Sequence, residues 1–377
     1  MQKLLKILFL GIIPFSTILL ILLLVNITLL DWKYAHKSLM TYQKPFNWAL
    51  YKMEIGFFKF IRSISKEDKL GLNKINLYIG EKSQKKLLHN VPSSTKIWQN
   101  AYYLNIDNTL KKIKVRHRGD NPRNWLFEKK HYRIKTRKDD QFDRHRYFNF
   151  LPYNLSKFIS GKISNDLNLI SPKYNLVELF INEESAGVYI QAEKINENFL
   201  RRNKFMPVNI YKGEQIFSES IINTENDLFN NKLTWKKIAY FNKLKKNNKD
   251  DLLYLLNLLR ESENNKKSFQ KIKNKIDLEE WSKFAAYQIL TQNYHNDSSH
   301  NMRIIIDPWT GKIFPIVHDP VIGSNIYNNK TQNLEFSSHA LLLLLNKNSF
   351  FIDKKYEQLN KFLLKDKILH KQVNFLS

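Results

Sequence analysis

The chain has 377 residues, enough for two lobes or domains and a sizeable core. With 61 Lys and Arg against 35 Asp and Glu, its formal charge of +26 favours a polyanionic partner such as a membrane surface, an acidic polymer or a nucleotide. The absence of cysteine excludes disulfides, thiolate metal sites and cysteine nucleophiles, and the chain, with only 10 glycines, has no Gly-rich phosphate loop.

Residues 1–6 form a short tail ahead of Ile7 to Leu30, a run without a charged residue. About 20 apolar residues cross the hydrocarbon core as a helix, so 7–30 is expected to be a transmembrane helix, uncleaved because no small-residue cleavage site follows it. The flanking lysines nearly balance. Orientation therefore rests on the usual behaviour of an amino-terminal signal anchor, which places the long domain outside the cytoplasm. The expectation is a single-pass protein of the cell membrane with an extracytoplasmic domain. Residues 31–70 are rich in aromatics and Lys, with Trp48, Tyr51, Ile55 and Phe58 at mixed three- and four-residue spacing. They fit an amphipathic helix at the membrane interface equally well as a helix packed on the soluble domain.

From 71 to 213 the pattern is one of strands: 75–79, 113–118, 132–137, 176–181 and 187–193, separated by turn formers. Leu179 to Ile190 reads as a hairpin with polar residues and Gly187 at the turn, and 154–168 as a helix ending before Pro172. From 214 to 377 the composition turns helical. Asp251 to Arg260 carries leucines on one face between charged flanks, Trp281 to Gln292 is a second and more buried helix, and 341–345 with 350–369 close the chain.

The densest chemistry follows the second of these helices. Asp297 and Asn301 stand four residues apart, then come an apolar strand, a turn and a second strand ending in Asp319. Such an arrangement converges oxygen ligands on a metal and a nucleotide, which points to phosphoryl transfer. Asp319, at the end of an apolar strand, is the metal-ligand candidate. The cluster of His295, Asp297, His300, His318 and Asp319 also fits a metal-dependent hydrolase that holds Zn, Mn or Fe through imidazole. Lys135 shares a strand face with Arg133 and Arg137, which suits a phosphate-facing strand or an exposed basic edge. Glu193 reads as a carboxylate for that lysine or as a strand-end group bridged to Lys194. No helix-turn-helix, zinc-finger or aromatic RNA-binding signature is present, so nucleic acid is not an expected partner.

Val115-Arg116-His117-Arg118-Gly119-Asp120, Lys129 to Lys135, Val177 to Asn182 with Gly187 to Glu193, Asn209 to Lys212, His300-Asn301 and Pro315 to Asp319 occur in that order. In this the chain resembles the spore-coat CotH kinase family over roughly residues 110 to 320. The resemblance implies an atypical protein-kinase-like fold in two lobes, ATP as donor, Mg or Mn, and a protein or acidic surface-polymer acceptor. It implies Arg118, Lys135 and Glu193 on the nucleotide side, and Asp297, Asn301 and Asp319 on the catalytic and metal side. Two departures stand out. The Asp297 to Asn301 spacing is one short of the kinase catalytic-loop pattern, and Val321 stands where many relatives have a second Asp. That second departure supports an alternative, a catalytically inactive pseudokinase or envelope scaffold whose basic face binds acidic glycan or lipid. Together these readings predict an α+β, two-lobed atypical protein-kinase-like domain behind an N-terminal transmembrane helix, with a β-rich lobe over 71–213 and a helical lobe over 214–377.

Overall fold

The computed structural model describes residues 71–373, apart from 90–92, 105–108, 120–122, 127–128, 142–144, 215–227, 263–265, 294, 300 and 324–338. In chain order the elements are β1 (Asn73–Tyr78), α1 (Glu81–Leu88), β2 (Gln99–Leu104), β3 (Leu110–His117), α2 (Arg123–Leu126), β4 (Tyr132–Lys135), β5 (Tyr147–Pro152) and α3 (Leu155–Asp166). They continue with β6 (Tyr174–Ile181), β7 (Glu184–Glu193), α4 (Glu197–Arg202), β8 (Asn209–Gly213), β9 (Trp235–Ala239), α5 (Asp250–Ser262) and α6 (Lys266–Lys275). The last are α7 (Leu278–Thr291), β10 (Arg303–Ile306), β11 (Ile313–Pro315), α8 (Ala340–Leu345) and α9 (Ser349–Val373).

Seven strands close into a barrel in the order β1-β2-β3-β4-β5-β7-β6, and a separate four-stranded sheet runs β11-β10-β8-β9. This corrects the expected two-lobed kinase-like fold class. Strands and helices are not segregated into a β-rich first lobe and a helical second one, because β8 pairs with β10, far downstream of it. β8 has β9 on one side and β10 on the other, and its consecutive residues Ile210 and Tyr211 are both buried, as a central strand covered on both faces requires.

The single-pass anchor expected above is not seen among the described residues. Among the described residues no helix is long and apolar enough to cross a membrane. Even α9, at 25 residues, is interrupted throughout by Lys, Asp and Glu, whose burial in hydrocarbon would be costly. The predicted span at 7–30 and the juxtamembrane helix at 31–70 lie outside the described residues.

The chain divides into two compact units, one comprising the residues through Lys135 with Val177–Gly187, the other Thr136–Leu176 with everything from Val188 on. In the first unit the period-2 alternation of half-buried strands sets the inner face. Ile75, Leu77, Ala101, Tyr103, Ile113, Val115 and Ile134 are buried while their neighbours face out. The β6–β7 turn falls at Asn182 and Glu183, both at positive φ (52° and 72°), and Gly187 sits inside β7. Asn182 suits that turn because its side chain continues the strand pairing: its Oδ1 accepts from Ile79 N at 2.7 Å and its Nδ2 donates to Ile79 O at 2.9 Å.

In the second unit α5, α7, α8 and α9 pack around Trp235, Leu255, Trp281, Phe284, Leu341 and Phe351. Tyr211 from the sheet joins the same core. Asp277 caps α7 by accepting from Glu280 N at 3.0 Å, and Trp281 Nε1 donates to Ile313 O at 2.9 Å, which ties that helix to β11. Against α3, Gly161 lies so close to Tyr174 that a Cβ would meet its ring at 2.6 Å.

Candidate functional site

The site grows from the end of α7. Gln292 turns left-handed (φ 48°, ψ 42°) and stops the helix, as a C-terminal residue must if the chain is to reverse. Asn293 then organises the loop: its Oδ1 accepts from His295 N at 2.9 Å and its Nδ2 donates to Asn296 Oδ1 at 3.2 Å. Asn296 is fully buried and carries the loop onward. Its Nδ2 donates to Asn301 O at 3.1 Å and to His318 O at 2.6 Å, so one amide joins both halves of the candidate site.

The second half follows β11. Ile316 N donates to Arg303 O and Val317 N to Ile170 O, which carries the chain to Asp319 in a left-handed conformation (φ 50°). Asp and Asn tolerate that region better than most residues, and Asn301 also occupies it (φ 60°). Beyond, Gly323 N donates to Thr291 O, and a Cβ at Gly323 would lie 2.0 Å from Gln292 O. Only glycine allows this return of the backbone onto the end of α7.

The Asp319 carboxylate lies between an ammonium and an imidazole. Lys157 Nζ, from the first turn of α3, pairs with Oδ1, and His295 Nδ1 lies 3.1 Å from Oδ2. Burial alone would raise the Asp319 carboxyl. The Lys157 ammonium, the His295 hydrogen bond and the charges of His318 and His295 outweigh it and hold the group well below the usual carboxylate range. Reciprocally, the Asp319 hydrogen bond raises the His295 imidazole, against the effect of burial. Asp319 is therefore an ionised, acceptor-only group at neutral pH.

Lys157 is held in place by a frame of small hydroxyls. Asn154 caps α3 by accepting from Lys157 N at 2.9 Å. Ser156 Oγ accepts from Ile322 N at 2.7 Å, Ser160 Oγ donates to Val321 O at 3.3 Å, and the buried Tyr287 hydroxyl donates to Ser160 O at 3.0 Å. These bonds lock α3 to α7 and to the 319–323 turn. Position 321 thus supplies a backbone carbonyl to the frame.

Asp297 has its Oδ1 engaged by its own loop, accepting from Ser299 N at 2.7 Å and Ser299 Oγ at 2.8 Å, an Asx turn. Ser298 O accepts from Leu228 N at 2.8 Å, which fixes the loop from outside. Among the described residues no group of three or more His, Cys, Asp or Glu side chains is placed to hold a metal ion, and His300 lies outside those residues.

The residues expected on the nucleotide side are divided between the two units. In the first, Lys135 and Arg133 share the outer face of β4, opposite Lys114 and Arg116 of β3. Both Arg116 and Lys135 lie over the Trp98 ring, at 5.0 and 5.8 Å from its centroid. Arg118, half-buried past the end of β3, donates its backbone N–H to His131 O at 3.0 Å. In the second unit the Glu193 carboxylate is buried and bound by Arg202, with Nη2 at 2.6 Å and Nε at 3.1 Å from Oε2, and by Lys173 N at 3.2 Å. Lys194, the sequence neighbour read as its alternative partner, instead places its Nζ 4.1 Å from the Tyr147 ring centroid.

Sequence reasoning missed Lys157, Asn293, Asn296 and Arg202. Asparagine is so frequent in this chain that two more in a loop carry no signal. Lys157 lies far upstream, on a helix that shows no chemistry of its own.

What the fold defines here is a half-buried, ionised carboxylate beyond a strand end, flanked by the Lys157 ammonium and the His295 imidazole. A family model described as CotH kinase protein matches residues 115–358. That is more than half of the chain, and the chain belongs to the CotH kinase family. Every candidate residue named above lies inside the match. No curated protein matches the chain.

Proposed function

We propose that this CotH family member is a kinase that transfers the terminal phosphoryl group of ATP to a hydroxyl of a protein or acidic surface-polymer acceptor, with Mg or Mn. Family membership supports the class of reaction, and the single observation that carries the site is the ionised Asp319 carboxylate held between Lys157 and His295. An oxygen-donor set of carboxylate and amide groups suits a hard divalent cation. Asp319, Asn301 and Asp297 would hold the metal, which when bound neutralises charge on the donor phosphates.

The chain's own residues divide the remaining work. Lys157 and His295 keep Asp319 ionised and oriented. Asn296 fixes the spacing between the 297–301 loop and the Asp319 turn. Asp297 would orient the acceptor hydroxyl and take its proton. The family resemblance implies that Lys135 and Arg118 would supply positive charge for the phosphates and Glu193 a carboxylate on the nucleotide side.

The test is transfer of label from the terminal phosphate of ATP by the full chain, with Mg or Mn, beside Asp319→Asn. Metal-dependent incorporation that disappears in the variant supports the kinase. Incorporation that survives unchanged in Asp319→Asn removes Asp319 from the site.

Val321 favours a second reading, the pseudokinase. With a valine where the family pattern has a carboxylate, the site has one fewer acidic ligand. Metal-dependent ATP binding that Asp319→Asn abolishes, with no transfer to any acceptor, would establish that reading in place of the kinase.

A further inference from the structure

Strand β9 inverts the alternation its sheet requires. Trp235 and Lys237 face the core and are 1% and 6% exposed, whereas Ile238 faces out at 37%. A strand that turns lysine inward and isoleucine outward loses apolar burial and desolvates a charge, so the position calls for a reason. Lys237 lies opposite Tyr211 in the β8–β9 register, its Nζ 5.2 Å from the ring centroid. Among the described residues no acceptor atom lies within hydrogen-bonding distance of that Nζ. Burial accordingly lowers the Lys237 ammonium from its usual range, against the partial support of Asp251 and Asp250.

The ammonium opens on a cavity of about 460 Å³, the size of a small-molecule site. Lys245 and Lys275 also line it, and Phe241, Tyr254 and Pro308 give it apolar walls. Its three carboxylates already hold donors of the protein. Asp251 accepts from Asn209 Nδ2 at 2.8 Å and from the Tyr211 hydroxyl, Asp307 from Thr310 Oγ1 at 2.7 Å, and Asp250 from Asn248 Nδ2 at 2.6 Å. An ionised carboxylate has about four acceptor positions, so each retains capacity for a hydroxyl donor. The cavity thus presents an ammonium with no hydrogen-bonding acceptor among the described residues, supported only through space by Asp250 and Asp251, beside carboxylates able to accept from hydroxyls. It also lies at the Asp307 end of β10, on the order of 15–20 Å along an extended strand from Asn301 at the other end.

We infer that this cavity is a second binding site, for a small hydroxylated anion of the sugar-phosphate type, with the anionic group on Lys237 and Lys275 and the hydroxyls on the carboxylates. The site is independent of the phosphotransfer reading, since none of its lining residues belongs to the Asp319 frame.

Binding of glucose 6-phosphate, inorganic phosphate and glucose to the full chain, by calorimetry and thermal shift at constant ionic strength, tests this. Glucose 6-phosphate should bind, inorganic phosphate more weakly, and glucose not at all. Lys237→Met should weaken glucose 6-phosphate binding by about tenfold or more, the loss of one charge-assisted hydrogen bond. Lys237→Arg should restore most of it, and Lys275→Met gives a second reading should Lys237→Met fold poorly. Asp319→Asn should bind like the wild type. The inference falls if neither anion binds, if Lys237→Met and Lys275→Met bind as the wild type does, or if Asp319→Asn abolishes binding, which would assign the ligand to the other site.

Discussion

Asp319 and Lys237 are charged side chains largely removed from solvent in the same unit, one beyond β11 and the other on β9, the two edge strands of the small sheet, and the protein treats them in contrary ways. Asp319 is compensated from within, by Lys157 on one oxygen and His295 on the other. Lys237 has an aromatic face beside it and no acceptor from the described residues. The difference teaches how to read a buried charge. A compensated one is fixed in protonation and position and is ready for chemistry, whereas an uncompensated one marks the place where a ligand completes the structure. His339 shows a third solution in this unit: buried against Phe229 and Trp281, it stays neutral.

The sharpest way to break the comparison is Asp319→Asn, which keeps shape and removes the charge. Metal-dependent phosphate transfer should fall by at least about 100-fold, as expected for loss of a charged group at a phosphoryl-transfer centre. Thermal unfolding in parallel should show the fold retained. Next comes Lys157→Met, which leaves the His295 imidazole on a mostly buried carboxylate. Unfolding in urea should show a loss of about 3 kcal/mol, and much of it should return in the double variant with Asp319→Asn, which keeps the left-handed backbone and removes the unpaired charge.

His339 sharpens the comparison through pH. Burial lowers its pKa from 6.5 to about 3. As pH falls below 6.5 the unfolded chain takes up this proton before the folded one does, so stability drops, by about 2 kcal/mol on reaching about pH 5. His339→Asn, which keeps an N-cap acceptor for α8, should flatten that slope in stability measured against pH. The smallest effect is expected at Lys237. Without any added anion, Lys237→Met should leave stability within about 1 kcal/mol of the wild type or raise it, since the ammonium it removes has no internal partner. A loss as large as that of Lys157→Met would show that Lys237 is compensated after all, and would end the contrast.

Several elements were legible because their signals are local. The alternation in β3, β4 and β6 and the leucine stripe of α5 each reflect one buried face repeating at the period of its own backbone. β9 was not legible, and for an instructive reason: its inward lysine and outward isoleucine cancel the signal at the very residue that opens on the cavity. The hairpin turn falls on the polar Asn182 and Glu183 and leaves Gly187 inside β7; an asparagine side chain bonded to Ile79 does there what a glycine would otherwise do.

For the candidate site, sequence alone determined that Asp297 and Asn301 stand in a polar loop just before an apolar strand and that Asp319 stands just after one. It also determined the order of motifs that marks the CotH kinase family. Only the tertiary structure decided that β8, β9, β10 and β11 form their own sheet beside a closed barrel. It alone decided, too, that Lys157 and His295 share Asp319 and that Arg202 takes Glu193. The reason is physical: backbone periodicity and turn chemistry act over a few residues and leave a trace in every short window. An ion pair between α3 and a turn far along the chain leaves none, since its energy depends on distance in space and not in sequence.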